Sequence, residues 1–175
     1  MVLARIILGF LSIDSMTGYD LKRHFDSSAA YFWSADKAQI YRTLASLVAD
    51  GLAETEVVPG DGAPDRIVHR ITPAGRDVLA AWLDSPLDRQ PERDPFLARL
   101  FFAGDDAELV RRLVTARRTA VEASVQDLER VRAQTPPVDR DSSPAPWLRV
   151  QTLEYGIAAG RHELAWLNSL LEDSP

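Results

Sequence analysis

The chain has 175 residues, enough for one good core or two small ones. It contains no cysteine, which excludes disulfides, thiol nucleophiles and Cys-ligated metal or iron–sulfur sites. Its formal net charge of −6 argues against broad, non-specific attraction to nucleic acid, because phosphates are neutralised by Lys and Arg.

The charge is spread evenly: residues 1–84 hold 8 basic and 11 acidic side chains, and the remainder 12 and 15. Any DNA-binding field must therefore be local, built from Lys22, Arg23, Lys37, Arg42, Arg66 and Arg70. The start, Met1 to Leu11, superficially looks like a signal peptide, but it lacks a clear basic start and a small-residue cleavage site before Asp14. It reads as a first helix in which Gly9 allows close packing. The apolar stretch from Ile6 to Ile13 is far short of the roughly 20 residues that span a membrane. A soluble, cytoplasmic protein is the expectation.

Residues 34–83 are the most informative segment. Ser34 or Asp36 can cap a helix, since their oxygens accept free N–H groups of the opening turn. Ile40, Leu44, Leu47 and Val48 recur at helical spacing and mark its buried stripe, and Gly51 ends it. Turning about 100° per residue puts Ala38, Gln39, Arg42, Ala45, Ser46 and Ala49 on the opposite face. Gln39 and Arg42 can hydrogen-bond base edges in a bidentate manner, and the short Ala38 and Ser46 permit close approach to a groove. Lys37 and Tyr41, on the flanks, suit phosphate contacts. An ordinary surface helix of mixed polar character would look much the same from this stretch alone.

A hairpin follows. Leu52 to Val58 is strand-like, Pro59 to Pro64 is dense turn chemistry, and the return strand alternates. Ile67, His69 and Ile71 face one way, and Arg66, Val68 and Arg70 the other, so two guanidinium groups can point toward phosphates. Thr72 caps the next helix, Pro73 takes its first position, and Val78, Leu79, Trp82 and Leu83 form its stripe. Helix, stop, hairpin and helix in that order are the grammar of a winged helix-turn-helix, which would span residues 1–84.

A Pro- and charge-rich connector occupies residues 85–95, and a helical region, 96–175, completes the chain. Within it a short helix is expected from Phe96 to Ala103. A long one follows, with Asp105 and Glu108 at capping-box spacing and an apolar side made by Val110, Leu113, Val114, Val121, Val125, Leu128 and Val131. Thr135 to Pro146 reads as a loop. In the last helix, Trp147 to Glu172, the residues Val150, Leu153, Ile157, Gly160, Leu164, Leu167 and Leu171 are spaced 3, 4, 3, 4, 3, 4. That is an a/d seam. Gly156 and Gly160 each cost about 1 kcal/mol of helix propensity, which suggests that another backbone comes close. The seam can close within one chain against helix 105–134, or serve two helical arms that pair between subunits. The second reading is preferred, and it makes those seven residues the dimerisation surface, with the first helix joining in.

Several motifs together resemble the PadR family of transcriptional regulators. They are Ile7-Leu8-Gly9-Phe10-Leu11, Thr17-Gly18-Tyr19-Asp20-Leu21, Gln39 to Leu44, Gly51-Leu52 and Ile71-Thr72-Pro73-Ala74-Gly75-Arg76. Asp94 to Phe102, Leu153-Glu154-Tyr155-Gly156 and Leu164 to Leu167 continue the resemblance over nearly the whole chain. Length and C-terminal helices are similar to the longer subfamily of phenolic-acid repressors and the related virulence activator. The resemblance implies a mainly helical fold with a small β wing, and a dimer on an inverted-repeat operator that represses a neighbouring gene. Base contacts would then come from Gln39, Arg42, Ser46 and Ala38, and phosphate contacts from Lys37, Tyr41, Lys22, Arg66 and Arg70. Asp61 and Asp65 make this wing acidic, His69 stands where many members carry Tyr, and Ala38 where Gly is common.

Enzyme chemistry finds little support. His24, His69 and His162 are scattered, and no nucleophile elbow, P-loop or dinucleotide fingerprint is present. No cofactor or metal is expected, Arg161-His162-Glu163 being a weak candidate for the latter. A small aromatic effector is a better expectation, given Trp33, Trp82, Phe96, Phe101, Phe102, Trp147, Tyr155 and Trp166, although each singly reads as core. The rival to a DNA-binding regulator is a winged-helix protein–protein adaptor that has given up DNA, which an acidic wing would suit.

Overall fold

The computed structural model describes residues 2–27, 29–30, 32–59, 65–87 and 94–173. Two compact units divide the chain, Met1–Asp88 and Arg89–Pro175. The connector anticipated at 85–95 straddles that division, and its residues 88–93, like Asp61 in the wing turn, lie outside the described residues.

The first unit runs α1 (Val2–Ile13), β1 (Met16–Thr17), α2 (Gly18–Asp26), α3 (Lys37–Ala49), β2 (Ala53–Val58), β3 (Arg66–Ile71) and α4 (Pro73–Leu83). It is a helical unit carrying a small antiparallel sheet in the order β1-β3-β2. β1 has only two residues, too few for alternation to announce it. It pairs Met16 with His69 and Thr17 with Val68, so the expected hairpin becomes a three-stranded sheet. The wing strands pair from Ala53↔Ile71 at the base to Val58↔Arg66. The alternation in β3 holds only at the base: His69 and Ile71 are buried, whereas Ile67 on the same side stands beyond the core opposite exposed Val57.

α1 packs against α3, α4 and β3. Ile7, Leu8, Leu21, Phe25, Ile40 and Leu44 are all but sealed from solvent. Gly9 does not provide the anticipated close approach, since a Cβ there would meet nothing within 4 Å. α4 keeps only part of its stripe inside: Leu79 is buried, whereas Trp82 and Leu83 face solvent.

A joint between α3 and α4 fixes the base of the wing. Gly51 adopts φ 69°, Leu52 N–H donates to Leu47 O at 2.8 Å and Gly51 N–H to Val48 O at 3.0 Å, a Schellman stop. The Thr72 hydroxyl then donates to Gly51 O at 2.8 Å, while its oxygen accepts from Gly75 N–H at 3.1 Å. Gly75 sits so close that a Cβ would lie 2.1 Å from Leu52 O.

The second unit comprises α5 (Pro95–Phe101), α6 (Ala107–Gln134) and α7 (Pro144–Asp173). α7 begins earlier than expected because Pro144 and Pro146 sit in its opening turn, where a missing N–H leaves no bond broken. Asp106, not Asp105, caps α6, accepting from Leu109 N–H at 2.9 Å. α6 and α7 run antiparallel, joined by Arg117–Glu163, Glu129–Arg161 and Arg132–Glu154, each at 2.6 Å. Arg117 also reaches Asp94 at 3.2 Å and lies over the Phe96 ring, which ties α5 to the hairpin.

The heptad seam is occupied within this chain. Leu153, Ile157 and Leu167 are buried, and Val150, Gly160, Leu164 and Leu171 are half-buried. Leu167 packs with Val114, Val121 and Val125 of α6, and a Cβ on Gly160 would fall 2.5 Å from Val125 Cγ2. Much of that seam therefore packs within this chain, against α6, while Val150, Gly160, Leu164 and Leu171 keep part of it at the surface. Among the described residues no helix is long and apolar enough to cross a membrane.

Replacing Gly75 by Ala should destabilise the chain by about 3 kcal/mol, since the new methyl meets a backbone carbonyl that cannot swing aside. Urea denaturation is the measurement, and a midpoint equal to wild type would show that the joint is looser than its geometry.

Candidate nucleic-acid interface

The exposed face of α3 depends on how the helix is held. Asp36 caps it: Gln39 N–H donates to Asp36 Oδ1 at 2.7 Å, and Asp36 N–H donates back to Gln39 Oε1 at 3.0 Å. α2 has its own reciprocal cap, in which Asp20 N–H donates to Thr17 Oγ1 at 3.1 Å and Thr17 N–H to Asp20 Oδ2 at 3.1 Å. The Thr17 hydroxyl donates to the same carboxylate at 2.7 Å. That hydroxyl bond chiefly holds the Asp20 carboxyl below its ordinary range; burial opposes it, and the Thr17 backbone and the charges of Arg23 and Arg66 add to it.

The two helices meet where Gly18, the first residue of α2, lies under the Tyr41 ring. A Cβ on Gly18 would come 2.7 Å from Tyr41 Cζ. Lys37 Nζ covers another part of that ring, 5.7 Å from its centroid, yet Tyr41 stays 44% exposed. Sequence reasoning placed Tyr41 but missed Gly18 as its seat. The signal available was a glycine directly after a capping threonine.

With Ile40, Leu44 and Leu47 turned inward, Lys37, Ala38, Gln39, Tyr41, Arg42, Ala45, Ser46 and Ala49 all lie in solvent. Ala38, Gln39, Arg42 and Ser46 thus share one open surface. They are not equally free. Gln39 Oε1 is engaged in the cap, and the Ser46 hydroxyl faces Asp50 at 3.4 Å. Arg42 and Lys37 form no ion pair among the described residues. Lys22, by contrast, pairs with Asp26, and Arg70 pairs with Glu56 across the wing at 2.8 Å. Arg66 lies near enough to Asp20 to lower its pKa. The cations brought to this side therefore come largely with carboxylates nearby, which lowers its net positive charge.

The aromatics expected to contribute to an effector site fall in both units. Trp33 packs against the first core. In the second unit, Phe96 meets Trp166 edge-on at 6.3 Å, Arg140 covers Trp147, and Tyr155 is exposed. Phe101 and Phe102 pair at 5.0 Å with 82% of each exposed. An open cleft of about 540 Å³ in the first unit, between α2 and the start of α3, includes none of the eight. Among the described residues no cluster of His, Asp or Glu is arranged to hold a metal; Arg161 and Glu163 instead join α6.

Two short helices meeting at a glycine, the second one open to solvent, followed by a β hairpin on a three-stranded sheet, define a winged helix-turn-helix protein. Residues 7–81 match the Transcriptional regulator PadR-like family and residues 92–173 the Virulence activator alpha C-term family. The chain thus carries a PadR-like transcriptional regulator domain followed by a virulence-activator C-terminal domain. It is 40% identical over 87 residues to the probable transcriptional regulator Rv1176c of Mycobacterium tuberculosis, a match spanning 50% of this chain and 46% of that protein. The negative transcriptional regulator PadR of Bacillus subtilis is 24% identical over 97% of this chain and 96% of its own length. The crystal structure of that PadR with operator DNA superposes with a TM-score of 0.82 at 22% identity, covering 100% of both chains. The same protein with p-coumaric acid gives 0.73 at 23% identity over 97% and 93%. The Vibrio cholerae virulence activator AphA gives 0.72 at 27% identity over 98% of this chain and 96% of that one.

Burial lowers the His69 imidazole below its ordinary value of 6.5, opposed by a backbone hydrogen bond to Met16, and its buried Nδ1 has no partner among the described residues. His24, stacked on Phe10, is lowered by burial first and by Arg23 second. An imidazole held neutral contributes its full stability above pH 6.5 and loses it as the pH falls toward the depressed folded value. The melting temperature should therefore drop between about pH 7.5 and pH 5, and drop less in His69→Phe; equal drops would exclude His69 as a cause.

Proposed function

We propose that this regulator acts as a dimeric repressor on an inverted-repeat operator. α3 enters the major groove, with Gln39 and Arg42 reading bases and Ala38 and Ser46 lining the approach. Lys37, Tyr41, Lys22, Arg66 and Arg70 hold phosphates, the last three by trading or loosening contacts with carboxylates. The observation that carries this reading is the open face of α3, held by a capping box at one end and a glycine stop at the other. Half-sites would lie about one turn apart, roughly 34 Å. The likeness to a PadR solved on operator DNA and with p-coumaric acid supports DNA as the partner and a small aromatic molecule as the releasing effector. A cytoplasmic location goes with work on DNA in this reading.

The dimer draws on the half-buried part of the seam, Val150, Gly160, Leu164 and Leu171, and on outward faces. On α7 these include Leu148 and Tyr155, both exposed. Light scattering at low micromolar concentration should give twice the 19.4 kDa chain mass, and a monomer would defeat the two-half-site reading.

Arg42→Ala should cost about 1–3 kcal/mol on the operator and relax sequence preference, whereas Arg66→Ala should weaken all sequences alike. Anisotropy titrations on operator and scrambled duplexes separate the two, and equal losses for Arg42→Ala on both would remove it from base reading. Binding that falls steeply with salt would also set this reading apart from a protein–protein adaptor, since counterion release requires phosphate contacts.

A further inference from the structure

Gln39 is the one side chain on the open face of α3 whose amide orientation is dictated by the protein itself. Its Oε1 accepts the Asp36 backbone N–H at 3.0 Å, while its own N–H binds Asp36 Oδ1 at 2.7 Å. A backbone N–H can only donate, so the atom facing it has to be the oxygen, and the Nε2 group takes the other side. No protein group among the described residues accepts from Nε2. The backbone is fixed as well, because Gln39 O accepts the Thr43 hydroxyl at 2.8 Å, one turn on.

Adenine is read by glutamine through both amide atoms together, the oxygen accepting from N6 and the nitrogen donating to N7. Here the oxygen is turned back to the N-cap, so that contact would require breaking or sharing the cap. What remains pointing outward is a pair of donors on one nitrogen. In the major groove, guanine presents two neighbouring acceptors, O6 and N7, the pair that a lysine ammonium also satisfies as a pure donor.

We propose that Gln39 is a specificity-determining residue that reads guanine, as a donor only, while its oxygen caps α3. This rests on the reading of α3 as the groove-entering helix. It narrows the bidentate base-edge contact expected from the residue type to one made by donors alone. Arg42, one turn further along the same face, would read a separate base.

The test is selection from a random duplex pool with the full chain, for wild type, Gln39→Glu and Gln39→Ala. Gln39→Glu keeps an acceptor for the Asp36 N–H, so its unfolding midpoint should match wild type, but it replaces the donors by an acceptor. Wild type should enrich guanine at one position of each half-site. Gln39→Glu should change that position to cytosine, whose N4 donates, and bind the wild-type site about tenfold more weakly. Gln39→Ala should leave that position degenerate and the others unchanged. Adenine at the position that Gln39 controls would overturn the donor assignment and leave α3 as the reader. The same site selected by all three proteins would show that Gln39 reads nothing. Failure of the wild-type chain to enrich any sequence would overturn the DNA-binding reading as well.

Discussion

Burial of Ile40, Leu44 and Leu47 beneath α1 and α2 is the constraint on which the candidate interface depends. Each such side chain contributes about 1.5–3 kcal/mol when taken out of water, so α3 cannot roll about its axis without exposing the stripe. Fixing the roll fixes the opposite face too. Ala38, Gln39, Arg42 and Ser46 are outward because their neighbours are inward, and no separate force is needed to display them. The Gly51 stop, the Thr72 hydroxyl and the missing Cβ at Gly75 then lock the far end of α3 to α4 and set where the wing leaves the core.

The open face is less basic than its residues suggest. Half-buried Lys22 and exposed Arg70 are cations whose charge is partly answered by Asp26 and Glu56, both exposed. Exposed pairs of this kind add little to stability, about 0–1 kcal/mol, so exchange with a phosphate meets little resistance. They do lower the long-range field that would draw the chain to any duplex. Under the proposed reading such a protein would lean on shape and on the few cations without an ion pair among the described residues, Arg42 and Lys37, rather than on bulk attraction. The exposed pair Val57 and Ile67 on the wing is likewise unsuited to phosphates.

The second unit shows how one pattern can serve two architectures. A seam at heptad spacing specifies a long apolar stripe and a shallow crossing with some helix. α6 supplies that helix here, and Gly160 lets the Val125 side chain come in where a larger residue would collide. Three ion pairs spaced along the hairpin fix its antiparallel direction.

Much of this was legible in the residues. Helical turning is local, so the order of apolar positions in α3 by itself told which side chains share a face, and Thr72-Pro73 and Gly51 marked ends because capping and positive φ are also local. Tertiary structure decided the rest. β1 is two residues long and exists only because β3 lies beside it; Gly9 meets no neighbour, whereas Gly18 and Gly75 do. The oxygen of Gln39 and the guanidinium of Arg70 found protein partners that residue type cannot announce. Periodicity names the face of a helix, but what fills the space against it depends on chain segments far away in sequence, as Val125 against Gly160 shows.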